Sequence, residues 1–222
     1  MAAVYKYFSK QEFVDGFLND GTVYFNALSY FIACEEVQLR DEQEGSLLFR
    51  PADGLKADLI SGRQIGMSGA FISRARNSHR IFVFCASQAC SASLAQRFKS
   101  NYCVEISDAD EFCLRLQRKL KSPIYRLRNS ELLSGAVNYV DNTEVPSVDH
   151  ALPERIIFRK QMTFSIEKEH RFAFALDRDA FNAYNVDYSI GEFNASPTKL
   201  VRPRIIKIGP TKDFCKQVLD LA

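Results

Sequence analysis

No Cys-x-x-Cys pair occurs among the six cysteines (Cys34, Cys85, Cys90, Cys103, Cys113 and Cys215), and the three histidines, His79, His150 and His170, lie far apart along the chain. A zinc or other transition-metal centre draws on such ligands at short, repeated spacing, so the sequence argues against a resident metal. The thiols sit in apolar stretches, where cysteine acts as a small buried hydrophobe, and no basic-plus-apolar segment opens the chain. A reducing, cytoplasmic setting is expected. No apolar run is long enough to span a bilayer, so no membrane partner is expected. Charge of neither sign predominates: 29 Lys and Arg stand against 27 Asp and Glu. That balance excludes a protein built to coat a polyanion or one carrying an acidic solubilising tail. Internal repeats and low-complexity stretches are also absent.

What is present suffices for one sizeable core. The 222 residues are 46% hydrophobic and 12% aromatic, which suits a single domain spanning residues 1–222. A strand is expected at Val4–Phe8, followed by a helix to Leu18 with Ser9 and Glu12 as a capping box and Gly21 as its stop. Thr22–Leu28 reads as a strand, and a helical turn from Ser29 or Tyr30 runs to the charged segment Arg40–Gly45. Between Ser46 and Asn77, glycines at 54, 62, 66 and 69 suggest short strands joined by mobile loops. Arg80–Ala86 is apolar on both faces and reads as a central strand. A short helix is expected near Ser93 and a strand at Tyr102–Ile106. Asp108 and Glu111 then cap a helix to Lys121 that buries Phe112, Leu116 and Leu120, with Arg115, Arg118, Lys119 and Lys121 toward water. Ala136–Val140 reads as a strand, Glu154–Lys160 as a short helix or turn, Arg204–Ile208 as a strand, and Thr211 onward as a helix. This irregular order favours an α+β fold with a mainly antiparallel, split sheet.

The most informative stretch is Phe164–Leu176. Read as a strand throughout, it sends Glu167, Glu169, Arg171, Ala173 and Ala175 to one face and His170, Phe172, Phe174 and Leu176 to the other. The second face is core. The first sets charge beside small alanines, as the lining of a cleft would. The same alternation also fits a half-exposed strand on which Arg171 merely pairs with Glu169. For a cleft residue, Glu169→Gln is expected to remove activity with little loss of stability.

Two carboxylates two residues apart on a strand can divide labour at an anomeric carbon, one stabilising positive charge on a sugar, the other orienting an attacking group. In nicotinamide dinucleotide the leaving ring is already cationic and needs no general acid. Its phosphates need cations, for which Arg40, Arg74, Arg76 and Arg80 are candidates.

The Glu167-Lys168-Glu169 segment, the opening Tyr5-Lys6-Tyr7 strand and the Gly21–Phe25 strand leading to Ser29-Tyr30-Phe31 together resemble the three-part pattern of ADP-ribosyltransferases. The chain also resembles a widespread, uncharacterised bacterial domain family with a Tyr-Lys-Tyr-like opening strand and a late Lys followed by Glu-x-Glu-x-Arg, here Lys160 and Glu167–Arg171. The resemblance implies an ADP-ribosyltransferase-like split sheet, NAD as the substrate cofactor, Glu169 as catalytic glutamate, Glu167 as the group orienting the acceptor, Tyr30 as the nicotinamide partner and Tyr5 or Lys6 as the first-strand contact. Arg171 and Arg40 join this cofactor-binding set, and Glu44 is a further candidate beside the alternative of a solvated charged turn. The pattern departs from the family in having Lys6 between tyrosines where Arg or His is usual, and in lacking a Ser-Thr-Ser triplet. The implied acceptor is a macromolecule, nucleic acid or protein. Such transferases often serve as bacterial or phage toxins or defence effectors, some with an antitoxin or regulatory protein as partner. Basic residues Arg115, Arg118, Lys119, Lys121, Arg126 and Arg128, with Tyr125, are candidates for a polynucleotide backbone. Two other readings stand beside this one. A non-catalytic binding module would use Glu169 and Arg171 as an internal ion pair. A metal-dependent nuclease is disfavoured because Glu167 and Lys168 are adjacent rather than on one strand face.

Overall fold

A computed structural model describes residues 2–33, 41–123, 125, 131–176, 178–194 and 201–221. In chain order its elements are β1 (Val4–Phe8), α1 (Gln11–Asp20), β2 (Thr22–Ala27), α2 (Leu28–Ala33), β3 (Ser46–Phe49), β4 (Leu55–Asp58), β5 (Gln64–Met67), β6 (Ala70–Ala75), β7 (Ile81–Ser87), α3 (Ala92–Arg97), β8 (Tyr102–Ile106), α4 (Ala109–Leu120), β9 (Leu133–Ala136), β10 (Asn138–Val140), α5 (Pro153–Ile156), β11 (Arg159–Gln161), β12 (Glu169–Ala175), β13 (Val186–Gly191), β14 (Arg204–Lys207) and β15 (Cys215–Asp220). The fold is α+β. An antiparallel sheet of eight strands dominates it, beside a three-stranded sheet β13-β6-β3, the hairpin β4-β5 and a short parallel pair β10-β11.

The eight-stranded sheet forks. One edge of β7 pairs with β12 along its whole length, from Glu169↔Ser87 to Ala175↔Ile81. The other edge is shared: β1 meets it at Tyr5↔Ser87 and β2 meets it at Asn26↔Val83 and Ala27↔Phe82. Between those contacts β1 and β2 diverge, β1 toward β8 and β15, β2 toward β14. Among the described residues, the stretch Phe84–Ala86 therefore has a strand partner on one side only.

Burial explains why these strands form. On one face Phe172 and Phe174 of β12, Phe82 and Phe84 of β7 and Phe25 of β2 pack beneath Phe17 of α1 and Phe112 and Leu116 of α4, all essentially without exposure. Each such side chain contributes about 1.5–3 kcal/mol of apolar burial. The capped α4 matches its sequence pattern, with Asp108 accepting from the Glu111 amide at 2.9 Å. The opposite face carries two separate apolar patches. One joins Leu28, Ile81, Val83, Ile157, Ala173 and Ala175; the other joins Tyr7, Leu94, Ala95 and Cys103 under α3. The polar site lies between them.

Several sequence expectations are corrected. The strand expected from Phe164 starts only at Glu169; residues 162–167 form a 3-10 turn and Lys168 takes a left-handed backbone at φ 45. Ala173 and Ala175 are buried in the second apolar cluster and do not line a cleft, because Ile157 and Leu28 cover them. The segment from Thr211 is not a helix. After a turn, Cys215–Asp220 pairs with the open edge of β8, where ladder hydrogen bonds outweigh local helix preference. Helix α1 begins at Gln11 behind an extended Lys10 with no side-chain cap, so the Ser9–Glu12 capping box does not form. Its stop is as expected: Gly21 adopts φ 63, and a side chain there would collide with the Gly209 backbone. The strand expected at Ala136–Val140 is split at Val137 between β9 and β10.

Candidate functional site

The fork creates a cavity of about 510 Å³, within the range of small-molecule sites, roughly 300–1,000 Å³. Register places Tyr5, Ser87 and Glu169 in one row across β1, β7 and β12. One step along, where β1 has left β7, the Lys6 ammonium bonds the Cys85 carbonyl at 2.8 Å and lies 4.6 Å from the Phe84 ring centre. Lys6 thus satisfies a backbone acceptor that a continuous sheet would have paired. Aromatic walls come from Tyr5, Phe13, Tyr24, Tyr30 and Phe98.

The floor is an alternating row of charges. Arg97 of α3 donates from Nε and Nη2 to Glu167 Oε1 at 3.1 and 3.0 Å. The Lys160 ammonium bridges Glu167 Oε2 at 2.9 Å and Glu169 Oε2 at 3.2 Å. Arg171 donates from Nε to Glu169 Oε1 at 2.7 Å, and from Nη1 and Nη2 to Glu44 at 2.7 and 2.8 Å. Local backbone geometry makes this row possible. The left-handed turn at Lys168 swings Glu167 toward the same cavity as Glu169, and the Ser87 hydroxyl pins it by donating to the Glu167 carbonyl at 2.7 Å. A left-handed non-glycine residue is a strained feature that collects at functional positions. Gly45, at φ 70, closes the turn that delivers Glu44.

These charges alter one another. Burial opposes ionisation of Glu169, but Arg171 and Lys160 outweigh it and hold the carboxyl well below the usual range. Burial would lower Lys160, yet Glu169, Glu44 and Glu167 raise it. Lys6 is lowered by burial, opposed by Cys85 and Glu169, while burial pushes the Cys85 thiol well up. Asp41 is pushed up to about 7, chiefly by burial and then by Glu44. The Tyr139 hydroxyl, raised to about 12 by burial, accepts from the Glu169 amide at 2.7 Å.

The structure brings Glu167, Glu169, Tyr5, Lys6, Tyr30 and Arg171 to one cavity. Arg40 lies outside the described residues, as do Arg126 and Arg128. Arg74, Arg76 and Arg80 do not line the cavity. Arg74 belongs to β6 of the three-stranded sheet and bonds Ser46 and the Asn194 carbonyl, while Arg76, in the turn just after β6, bonds Asp187. The solvated-turn reading of Arg40–Gly45 fails for Asp41 and Glu44, which are buried, and holds for Glu42, which is exposed. The surface-pair reading of Arg171 fails as well: the pair with Glu169 exists, but Arg171 is only 1% exposed. Arg115 does not simply face water; it bonds Glu111 and the Pro210 carbonyl, pairs with Asp213 and stacks on Phe214. Arg97, Tyr139 and Cys85 carry no local sequence mark as site residues. Only Lys160 had a signal, its place ahead of the Glu-x-Glu-x-Arg pattern.

Among the described residues no helix is long and apolar enough to cross a membrane. No family model, curated protein or solved structure matches the chain.

Proposed function

We propose that this chain transfers ADP-ribose from NAD to a macromolecular acceptor, nucleic acid or protein. The observation that carries the reading is the buried pair Glu167 and Glu169 at the floor of an aromatic-walled cavity opened by a forked sheet. Aromatic walls suit the flat rings of a dinucleotide. Lys6 and Lys99 line the same cavity and take over the phosphate role expected of Arg74, Arg76 and Arg80.

In the proposed step the bond from ribose C1′ to the nicotinamide nitrogen breaks, and its electron pair leaves with nicotinamide as a neutral ring. Positive charge builds on the ribose, and an acceptor oxygen or nitrogen bonds C1′ and loses a proton to solvent. Glu169, kept ionised by Arg171 and Lys160, suits electrostatic stabilisation of that sugar and hydrogen bonding to a ribose hydroxyl. Its depressed pKa makes it a poor proton acceptor. Glu167, nearer α3, takes the role of orienting the acceptor.

One observation favours a non-catalytic binding module instead: both oxygens of Glu169 are already held by cations. Incubating the protein with NAD labelled in its adenosine half, together with cell lysate, separates the two. The transferase reading expects label on protein, RNA or DNA from the parent and none from Glu169→Gln. A binding module leaves every acceptor unlabelled.

A further inference from the structure

Lys160 comes from β11, whose parallel pairing with β10 sets it beside Tyr139. That one short pair addresses both ends of Glu169: Tyr139 accepts from its amide, and Lys160 donates to its carboxylate. The same ammonium also bonds Glu167, so a single buried cation spans the two acids. Lys160 is 8% exposed in its side chain and sits 4.5 Å from the Phe164 ring centre, which closes it from the 3-10 turn.

Among the described residues no other cation bridges the two acids. Arg97 reaches Glu167 only, and Arg171 divides its guanidinium between Glu169 and Glu44. Among the described residues of this row, three cations, Arg97, Lys160 and Arg171, are paired with three carboxylates, Glu44, Glu167 and Glu169. Removing Lys160 leaves one negative charge in excess among buried groups, and adjacent buried carboxylates relieve such an excess by taking up a proton.

We propose that Lys160 is a positioning residue of this site, its ammonium holding the Glu167 and Glu169 carboxylates side by side at the cavity floor and favouring the ionised form of Glu169. Its relevance to turnover rests on the transferase reading; its effect on the carboxylates does not. Other charged or titratable groups near it are Asp41 and Glu44 from the turn before β3, Tyr139 from β10, Arg171 from β12 and, beside Glu169, Cys85 and Lys6. A lysine suits the place because a compact ammonium bridges two separate acceptors, whereas a guanidinium presents a flat fork.

The test compares the parent with Lys160→Met and Lys160→Arg. The carboxyl carbon of Glu169 is followed by NMR against pH, and nicotinamide release from NAD is followed across the same range. In the parent the Glu169 signal holds its ionised position to the acid limit of folding. In Lys160→Met it is expected to titrate inside the folded range, with release falling at least tenfold at neutral pH and gaining an acid limb at that midpoint; Lys160→Arg restores both in part. Identical titration in parent and Lys160→Met overturns the inference. If Lys160→Met does not fold, Lys160→Arg decides it: a parent-like Glu169 signal supports the charge role, and a Glu169 that titrates as the pH falls toward 5 overturns it. A shifted titration without nicotinamide release from any protein leaves Lys160 as assigned and removes the transferase reading.

Discussion

Arg171 and Glu44, separated by 127 residues of sequence, meet through two parallel hydrogen bonds of 2.7 and 2.8 Å with both side chains about 1% exposed. This bidentate pair ties the Asp41–Gly45 turn to the central strand β12 and closes one end of the charge row. Removing one partner of such a pair strands a charge away from water. Arg171→Met is expected to lose roughly 3–5 kcal/mol of folding stability in denaturant titration. Arg171→Lys, which cannot present the fork, is expected to lose more than about 1 kcal/mol. An unchanged midpoint for both would contradict the buried pairing.

Two buried carboxylates carry opposite pH signatures. Glu169 is held below its unfolded value, so its contribution is present above the ordinary carboxylate range and is lost as pH falls below it. Asp41 is raised to about 7, so its neutral form favours folding and that contribution fades as pH rises toward 7. Asp41→Asn keeps an oxygen for the Gln43 amide, which Asp41 accepts at 2.9 Å. Measured by urea unfolding, the variant is expected to gain about 1–3 kcal/mol over the parent at pH 8 and little at pH 5. An equal difference at both values would show that Asp41 does not titrate between them.

Lys168, at φ 45 between the two glutamates, should prefer to be glycine on backbone grounds alone. Its side chain is exposed, so Lys168→Gly is expected to leave stability unchanged or raised within about 1 kcal/mol. Lys168→Val, β-branched, is expected to lose more than about 1 kcal/mol and to disturb Glu167. Thermal unfolding of the pair checks this.

The core of this fold was legible because its signals are local and periodic. Phe172 and Phe174 alternate as a strand requires, and Asp108 followed by Glu111 marks the start of α4. The site was legible in part, through Glu167, Glu169 and Arg171. What stayed hidden depends on distance. Glu44 reads as a solvated turn until Arg171 is brought to it, and Arg97 reaches Glu167 across 70 residues. Lys168 carries no local mark of a left-handed turn, so one continuous strand was expected where a 3-10 turn precedes a shorter one. The last segment, with Cys215, Gln217 and Leu219 alternating against Lys216, Val218 and Asp220, became a strand because β8 offered an open edge.

The expectation that Glu169→Gln leaves stability nearly unchanged also needs revision. Glu169 is 6% exposed and bound to Arg171 and Lys160, so the change is expected to lose about 3 kcal/mol. Any activity comparison must therefore use protein shown to be folded by circular dichroism at the assay temperature.

Under that condition, the most direct test of the proposed chemistry is free nicotinamide released from NAD by the purified parent and by folded Glu169→Gln, measured by chromatography. The transferase reading predicts release by the parent that rises when cell lysate supplies an acceptor, and a loss of at least a hundredfold in the variant. Equal release by both, or none from the parent with lysate present, would contradict it.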